Sequence, residues 1–260
     1  YLPSNLARER SNITSIEMRI LTILLVTNIM LTIDAALIGT SSSPASTKKI
    51  ICFGDSLTAG TSPPLNEDFP YGPHLEAALQ TNYEACGRCL VRWRGLPGWT
   101  ASALLQEGGF SGILDNIEKA TSGPADLAII LAGTNDLAYE PDSKSIFQSI
   151  TQLHEVAHSK GVQTMAIGIP PSAWQTQSAS ARLVANQVNH MLENWAKDTG
   201  SSNECMASYV PFPITLCDKE SGLWSPDGLH FSPTGYKLIG ESLAPTVAMA
   251  LDSSSGLKQA

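Results

Sequence analysis

From residue 48 onward, two patterns of apolar and polar positions alternate along the chain. Short strand-like runs occupy residues 50–53, 90–94, 126–132, 162–169 and 207–210. Runs of this length, bounded by Gly, Pro and Asn, read as strands. A wholly apolar run such as DLAIILA at 126–132 suits a strand covered on both faces. Between the runs lie segments whose apolar residues recur at helical spacing. Residues 71–80 do so through Leu75, Ala78 and Leu79, and 101–106 and 113–121 are shorter helical stretches. Residues 142–160 repeat through Ile146, Ile150, Leu153 and Ala157 and close at Gly161. Residues 179–198 carry Leu183, Val184, Val188, Met191, Leu192 and Trp195 on one side. The closing helix starts at Ser232-Pro233, an N-cap serine with proline in the first turn, and its periodicity ends near Leu251.

Strand–helix alternation around apolar central strands predicts an α/β fold, a three-layer α/β/α sandwich with a mainly parallel central sheet. There is no internal repeat. Residues 48–251 form the domain, and 252–260 (DSSSGLKQA) read as a flexible tail. Residues 1–47 are an extension. Met18-Arg19 precedes an uncharged apolar stretch over 20–33, and then come Asp34 and the small polar linker GTSSSPAST. That layout reads as a secretory signal peptide or signal anchor, too short to span a bilayer comfortably, which predicts a secreted or membrane-anchored protein. Membrane association is expected only through that segment.

Composition changes this picture little. An ordinary hydrophobic share, 43%, supports a real core, and a net charge of -8 without any Lys/Arg cluster excludes a nucleic-acid surface. The five cysteines are an odd number. Cys52 lies in the first strand and reads as a buried free thiol. Cys86, Cys89, Cys205 and Cys217 read as disulfides or plain thiols rather than as a metal site.

Four segments fall where an α/β fold gathers its chemistry, past the carboxyl ends of strands. They are FGDSLTAG (53–60), RGLPGWTAS (94–102), AGTNDL (132–137) and SPDGLHFS (225–232). Singly, each has an ordinary account as a turn. Together they hold the parts for acyl transfer. A serine hydroxyl needs an imidazole to take its proton, and the imidazole needs a carboxylate on its other nitrogen. The oxyanion that forms needs pre-aimed N–H donors. Ser56, His230 and Asp227 supply the first three groups, and Gly98 N–H, Asn135 and Ser56's own N–H supply the donors. His74, His154, His158 and His190 lie in helices without such an acidic partner. His154 and His158 share an exposed or half-exposed helix face on this reading, and lack a third metal ligand. Thr58 stands where the G-x-S-x-G elbow requires its second glycine.

The segments FGDSLTAG, GLPGWTAS, AGTNDL and SPDGLHFSPTGY, in that order over about residues 49–250, resemble the blocks of the GDSL, or SGNH, hydrolases. ICFGDSLTAG with LAGTNDL is most similar to the arylesterase and lysophospholipase-like branch. The resemblance implies a flavodoxin-like sandwich. It also implies Ser56 as nucleophile, His230 as general base, Asp227 as its orienting acid, and Gly98 and Asn135 as oxyanion donors. Asp55 and Asp136 read as positioning residues. Trp99 departs from the polar residue that many relatives carry after the block glycine.

The reaction expected is hydrolysis of small-molecule or carbohydrate-linked esters through an acyl-enzyme, with short acyl or acetyl groups favoured because no long apolar lid insertion is present. It needs no metal or organic cofactor. An acyltransferase, or a lysophospholipase or thioesterase, would use the same site, and a non-catalytic carbohydrate- or lipid-binding module would keep only the fold. The loop over 61–73, with Trp99, Trp174, Trp224 and Phe231, is expected to wall the site.

Overall fold

The computed structural model describes residues 47–83, 88–139, 142–200, 207–215 and 218–257, all within a unit spanning 45–260. The expected signal segment, Cys86, Cys205 and Cys217 lie outside the described residues. Five strands form the sheet: β1 (Lys48–Gly54), β2 (Cys89–Gly95), β3 (Leu127–Leu131), β4 (Gln163–Ile167) and β5 (Ala207–Val210). The helices are α1 (Ser56–Ala59), α2 (Gly72–Asn82), α3 (Ala101–Glu107), α4 (Phe110–Thr121), α5 (Ser143–His158), α6 (Ala173–Gln177), α7 (Ala179–Gly200) and α8 (Pro233–Leu257). Single 3-10 turns occur at Asn135–Ala138 and Lys219–Ser221.

All pairings are parallel, in the order β2-β1-β3-β4-β5. Strand alternation explains the two cores. Ile50 and Cys52 of β1, with Leu127, Ile129 and Leu131 of β3, face α2 and α8. Ile51 and Phe53, with Ala128 and Ile130, face the layer of α3, α4, α5 and α7. Each buried Ile, Leu or Phe side chain contributes about 1.5–3 kcal/mol, so the central strands, apolar on both sides, are where stability concentrates. The sheet is thus the middle layer of a three-layer sandwich. Connections leave β1 toward β2 and β3 toward β4, in opposite directions. The crevice between their carboxyl ends is the topological switch point of a 2-1-3-4-5 sheet.

Several details depart from the sequence reading. Helix α8 runs to Leu257, past the last periodic residue Leu251. Cys52 is a buried free thiol, and burial pushes it up to about 12. Cys89 is buried at the start of β2, whereas Cys86, Cys205 and Cys217 lie outside the described residues. Among the described residues no helix is long and apolar enough to cross a membrane.

The expected exposed face at His154 is corrected. His154 is fully buried, edge-on to Trp195 of α7 with ring centroids 4.8 Å apart, and neither ring nitrogen has a hydrogen-bond partner among the described residues. The 3.6-residue period places His154 beside Leu153 and Ile150, where α7 covers it. His158 is half-buried, and its Nε2 lies 2.8 Å from Thr164 Oγ1.

Burial, with the neighbouring His158 adding, pushes the His154 imidazole down to about 3. The unfolded chain therefore takes up this proton first as pH falls, and stability is lost from about pH 6.5 downward. Replacing His154 with Leu should flatten that loss, by up to about 1.4 kcal/mol per pH unit. Urea midpoints of the two proteins at pH 7, 5.5 and 4.5 measure it, and parallel pH dependences would refute it.

Candidate active site

β1 ends at Gly54, and the chain turns at once into α1. Asp55 is the N-cap, its Oδ1 accepting from Leu57 N–H at 2.9 Å. The helix lasts one turn because Gly60, at φ 90°, takes the left-handed conformation and donates its N–H to Ser56 O. Ser56 opens this helix, 6% exposed. Among the described residues the only non-glycine with positive φ is Ser122, so Ser56 sits on relaxed backbone.

The loop before α8 is built around one carboxylate. Asp227 Oδ1 accepts from Leu229 N–H at 2.9 Å and His230 N–H at 3.0 Å, closing an Asx-type turn that Gly228 allows at φ 68°. Its other oxygen, Oδ2, lies 2.7 Å from His230 Nδ1. His230 Nε2 lies 2.9 Å from Ser56 Oγ, across 174 residues of sequence. With Nδ1–H given to Asp227, the proximal Nε2 is the lone-pair nitrogen and the Ser56 hydroxyl donates to it. Partial burial works against charge on Asp227, but the His230 ring and the two N–H groups outweigh it and hold the carboxyl below its usual range.

Contacts that sequence reasoning missed lock the two loops together. Tyr236 Oη donates to Thr61 O at 2.7 Å, and Ser62 Oγ lies 3.3 Å from Ser225 Oγ. Ser225 Oγ also reaches Phe231 O at 3.0 Å, and Ser225 N–H binds His230 O. Ala173 N–H, at the start of α6, donates to Gly228 O at 2.8 Å. Hydroxyls this common carry no signal in a sequence until their partners are known.

The other two loops complete the crevice. Trp99 N–H donates to Leu96 O at 3.2 Å around Pro97 and Gly98, and Gly98 at φ 81° makes this a type II turn. Leu96 N–H binds Gly54 O, holding that turn against the end of β1. Asn135, just after β3, donates from Nδ2 to Trp99 O at 2.9 Å and, more weakly, to Asp55 Oδ2 at 3.3 Å. Asp136 Oδ2 caps the start of α3 through Ala101 N–H at 2.9 Å.

Ser56, His230 and Asp227 are thus in direct contact, and Asn135 and the Gly98 turn are tied to them through Asp55 and Trp99. The aromatic walls are corrected. Trp224 and Phe231 are core residues, 5% and 0% exposed, tilted against each other with ring centroids 4.3 Å apart, and Phe212 stacks on Phe231 at 5.2 Å. Trp174 is exposed on α6. Among the described residues no group of three or more His, Cys, Asp or Glu side chains could hold a metal.

Burial pushes Asp55 up, to about 7, opposed by Leu57 N–H and reinforced by Asp136. Asp136 is itself raised by burial against the hydrogen bond from Ala101. The folded state therefore holds the Asp55 proton more tightly than the unfolded state, and stability falls as pH rises from about 4 to 7. Asp55→Asn removes this titration. Relative to the native protein the variant should gain stability across that window, as urea midpoints at pH 4, 5.5 and 7 would show. A constant difference would refute the raised carboxyl.

Comparison with known proteins agrees with this architecture. The model of the GDSL-like Lipase/Acylhydrolase family matches residues 52–238. No curated protein matches the sequence significantly. Among solved structures, Est24, a carbohydrate acetylesterase from Sinorhizobium meliloti, superposes with a TM-score of 0.58 at 18% identity, over 78% of this chain and 99% of that one. The native M. smegmatis aryl esterase gives 0.57 at 19%, over 78% and 99%. A family 3 carbohydrate esterase from Clostridium thermocellum gives 0.56 at 20%, over 80% and 100%. At these identities the likeness establishes the fold, and the family match covers most of the domain. The chain belongs to the GDSL-like Lipase/Acylhydrolase family, and is a hydrolase of ester bonds.

Proposed function

We propose that the protein cleaves carboxylic esters through an acyl-enzyme on Ser56. The observation that carries this reading is the unbroken chain Asp227 Oδ2–His230–Ser56 Oγ, with contacts of 2.7 and 2.9 Å. In the first half-reaction Ser56 Oγ attacks the ester carbonyl and its proton passes to His230 Nε2. Asp227 stabilises the imidazolium and keeps it oriented. The tetrahedral intermediate collapses, the C–O bond to the alcohol breaks, and His230 returns the proton to the departing alkoxide. In the second half, water gives a proton to His230 and attacks the acyl carbon, and collapse releases the acid and restores Ser56.

The oxyanion is held by Gly98 N–H, Ser56 N–H and the Asn135 amide. Gly98 N–H donates to no protein acceptor among the described residues. Asn135 has two amide hydrogens. One is committed to Trp99 O, and the other makes only the long contact to Asp55, so it is the one an oxyanion would recruit.

Short acyl or acetyl esters of small alcohols or of carbohydrates are the favoured substrates. The loop after Ser56 supports this. It is held by the Thr61–Asp68 bridge, by Phe69 N–H to Gly60 O at 2.7 Å and by Tyr236, rather than forming an apolar lid. The structural neighbours include a carbohydrate acetylesterase and an aryl esterase by name, which is in keeping with this reading.

With a p-nitrophenyl short-chain ester, Ser56→Ala should lower kcat on the order of 10⁴-fold or more while leaving the melting temperature in place. Asn135→Ala should cost roughly 10²–10³-fold in kcat. A fluorophosphonate probe should label the native protein at Ser56 and not the alanine variant. Undiminished turnover by Ser56→Ala would overturn the mechanism.

A further inference from the structure

One large groove does not open on Ser56. It has a volume of about 700 Å³, lies against edge strand β2 and helix α4, and shares no lining residue with Ser56, Asp227 or His230. Register explains its origin. Arg92 pairs with Ile51 and Arg94 with Phe53, so both arginines occupy the face of the sheet that α4 covers farther in. At the edge that cover stops short, and Arg92 and Arg94 are exposed where a core residue would otherwise sit.

Two unlike sets of side chains line the groove. Leu90, Ile113 and Ile117 give it a half-buried apolar side. Arg92 and Arg94, alternate residues on one strand and therefore about 7 Å apart, give it a cationic one. Among the described residues no carboxylate lines it, in a chain with 24 acidic and 16 Lys and Arg residues, and neither arginine is in an ion pair. The third cation, Lys49, is already committed to Gly123 O at 2.9 Å.

Charge on an edge strand discourages pairing with another chain, and that alone would account for the arginines. It does not account for Gly112. This residue lies in the first turn of α4 on the groove wall, and a Cβ built on it meets nothing within 4 Å. A helical glycine costs about 0.5–1 kcal/mol relative to alanine, and packing among the described residues does not require one here. Its absent side chain leaves the groove open.

We propose that this groove is a second ligand site, distinct from the Ser56 centre, that binds an amphiphilic monocarboxylate. The carboxylate lies between the guanidinium groups of Arg92 and Arg94, whose planar forks match two oxygens. The aliphatic body runs along Leu90, Ile113 and Ile117. The volume falls in the range of small-molecule sites. The assignment is independent of ester cleavage at Ser56.

The probe is octanoate, titrated into the full chain by calorimetry, with octan-1-ol as the neutral molecule of equal length. Octanoate should bind saturably, and octan-1-ol about tenfold more weakly or worse. The double substitution Arg92→Gln, Arg94→Gln should weaken octanoate about tenfold or more, and Gly112→Leu, whose Cβ would meet no described atom within 4 Å and whose side chain would take up groove space, should do the same. Asn135→Ala, in the Ser56 crevice, should leave octanoate affinity unchanged. Melting curves identify any variant that fails to fold. The arginine and glycine substitutions act by different means, so either one decides the question. The proposal is overturned if saturable binding is absent by about 1 mM, if the alcohol binds as well as the acid, or if binding follows Asn135 rather than the groove.

Discussion

A buried carboxylate at the end of β1 organises the crevice. Asp55 is fully buried, one residue before Ser56, and its two oxygens serve opposite sides. Oδ1 caps α1, which sets the direction in which Ser56 leaves the strand. Oδ2 receives Asn135, which comes from the end of β3 on the far side of the switch point. Asn135 in turn grips Trp99 O, and so the Gly98 turn after β2. Three strand ends are thereby coupled through one side chain. An unpaired buried charge would be expensive, and burial drives Asp55 toward its protonated form, which lowers that cost while leaving Oδ1 free to accept.

The coupling works only because backbones can approach closely there. Gly54 and Gly95 face each other in register at the ends of β1 and β2. A Cβ on Gly54 would stand 2.1 Å from Leu131 O, and one on Gly95 2.1 Å from Ala59 N. Neither contact can be relieved by rotating a side chain, so Gly54 lets the end of β1 close on β3 and Gly95 lets α1 close on the end of β2.

What the sequence makes legible follows from which contacts are local. The strands β1 and β3 are readable because burial on both faces leaves unbroken apolar runs. The Asp227–His230 pair is readable because one turn of four residues, 227–230, carries it. The link from Asp55 to Asn135 spans 80 residues and leaves no pattern. Helix α1 is four residues long, shorter than any helical period can reveal. His154 shows a different limit. Spacing placed it on a helix face correctly, but what covers that face is Trp195, and a period says nothing about the width of the neighbouring helix. Trp224 and Phe231, expected to wall the site, pair across an isolated bridge and both lie in the core, a placement that their position in the sequence does not reveal.

Thr58 shows how this crevice differs from the strained elbow that other α/β hydrolases use to raise a serine. That elbow needs glycine on both sides of the nucleophile. Here Gly54 supplies the first, while the second position is a fully buried threonine. A Cβ on Gly54 would lie 2.5 Å from Thr58 Oγ1, so the threonine occupies the space that the first glycine vacates. One close approach is therefore filled by a side chain rather than left to a second glycine. The turn gains packing, and Ser56 needs no left-handed backbone to reach the crevice. It is aimed instead by its cap and held by the loop of Asp227 and His230. The geometry of the proposed nucleophile therefore depends on side-chain contacts between distant loops, chiefly Tyr236 with Thr61 and Ser62 with Ser225, more than on strain stored beneath it.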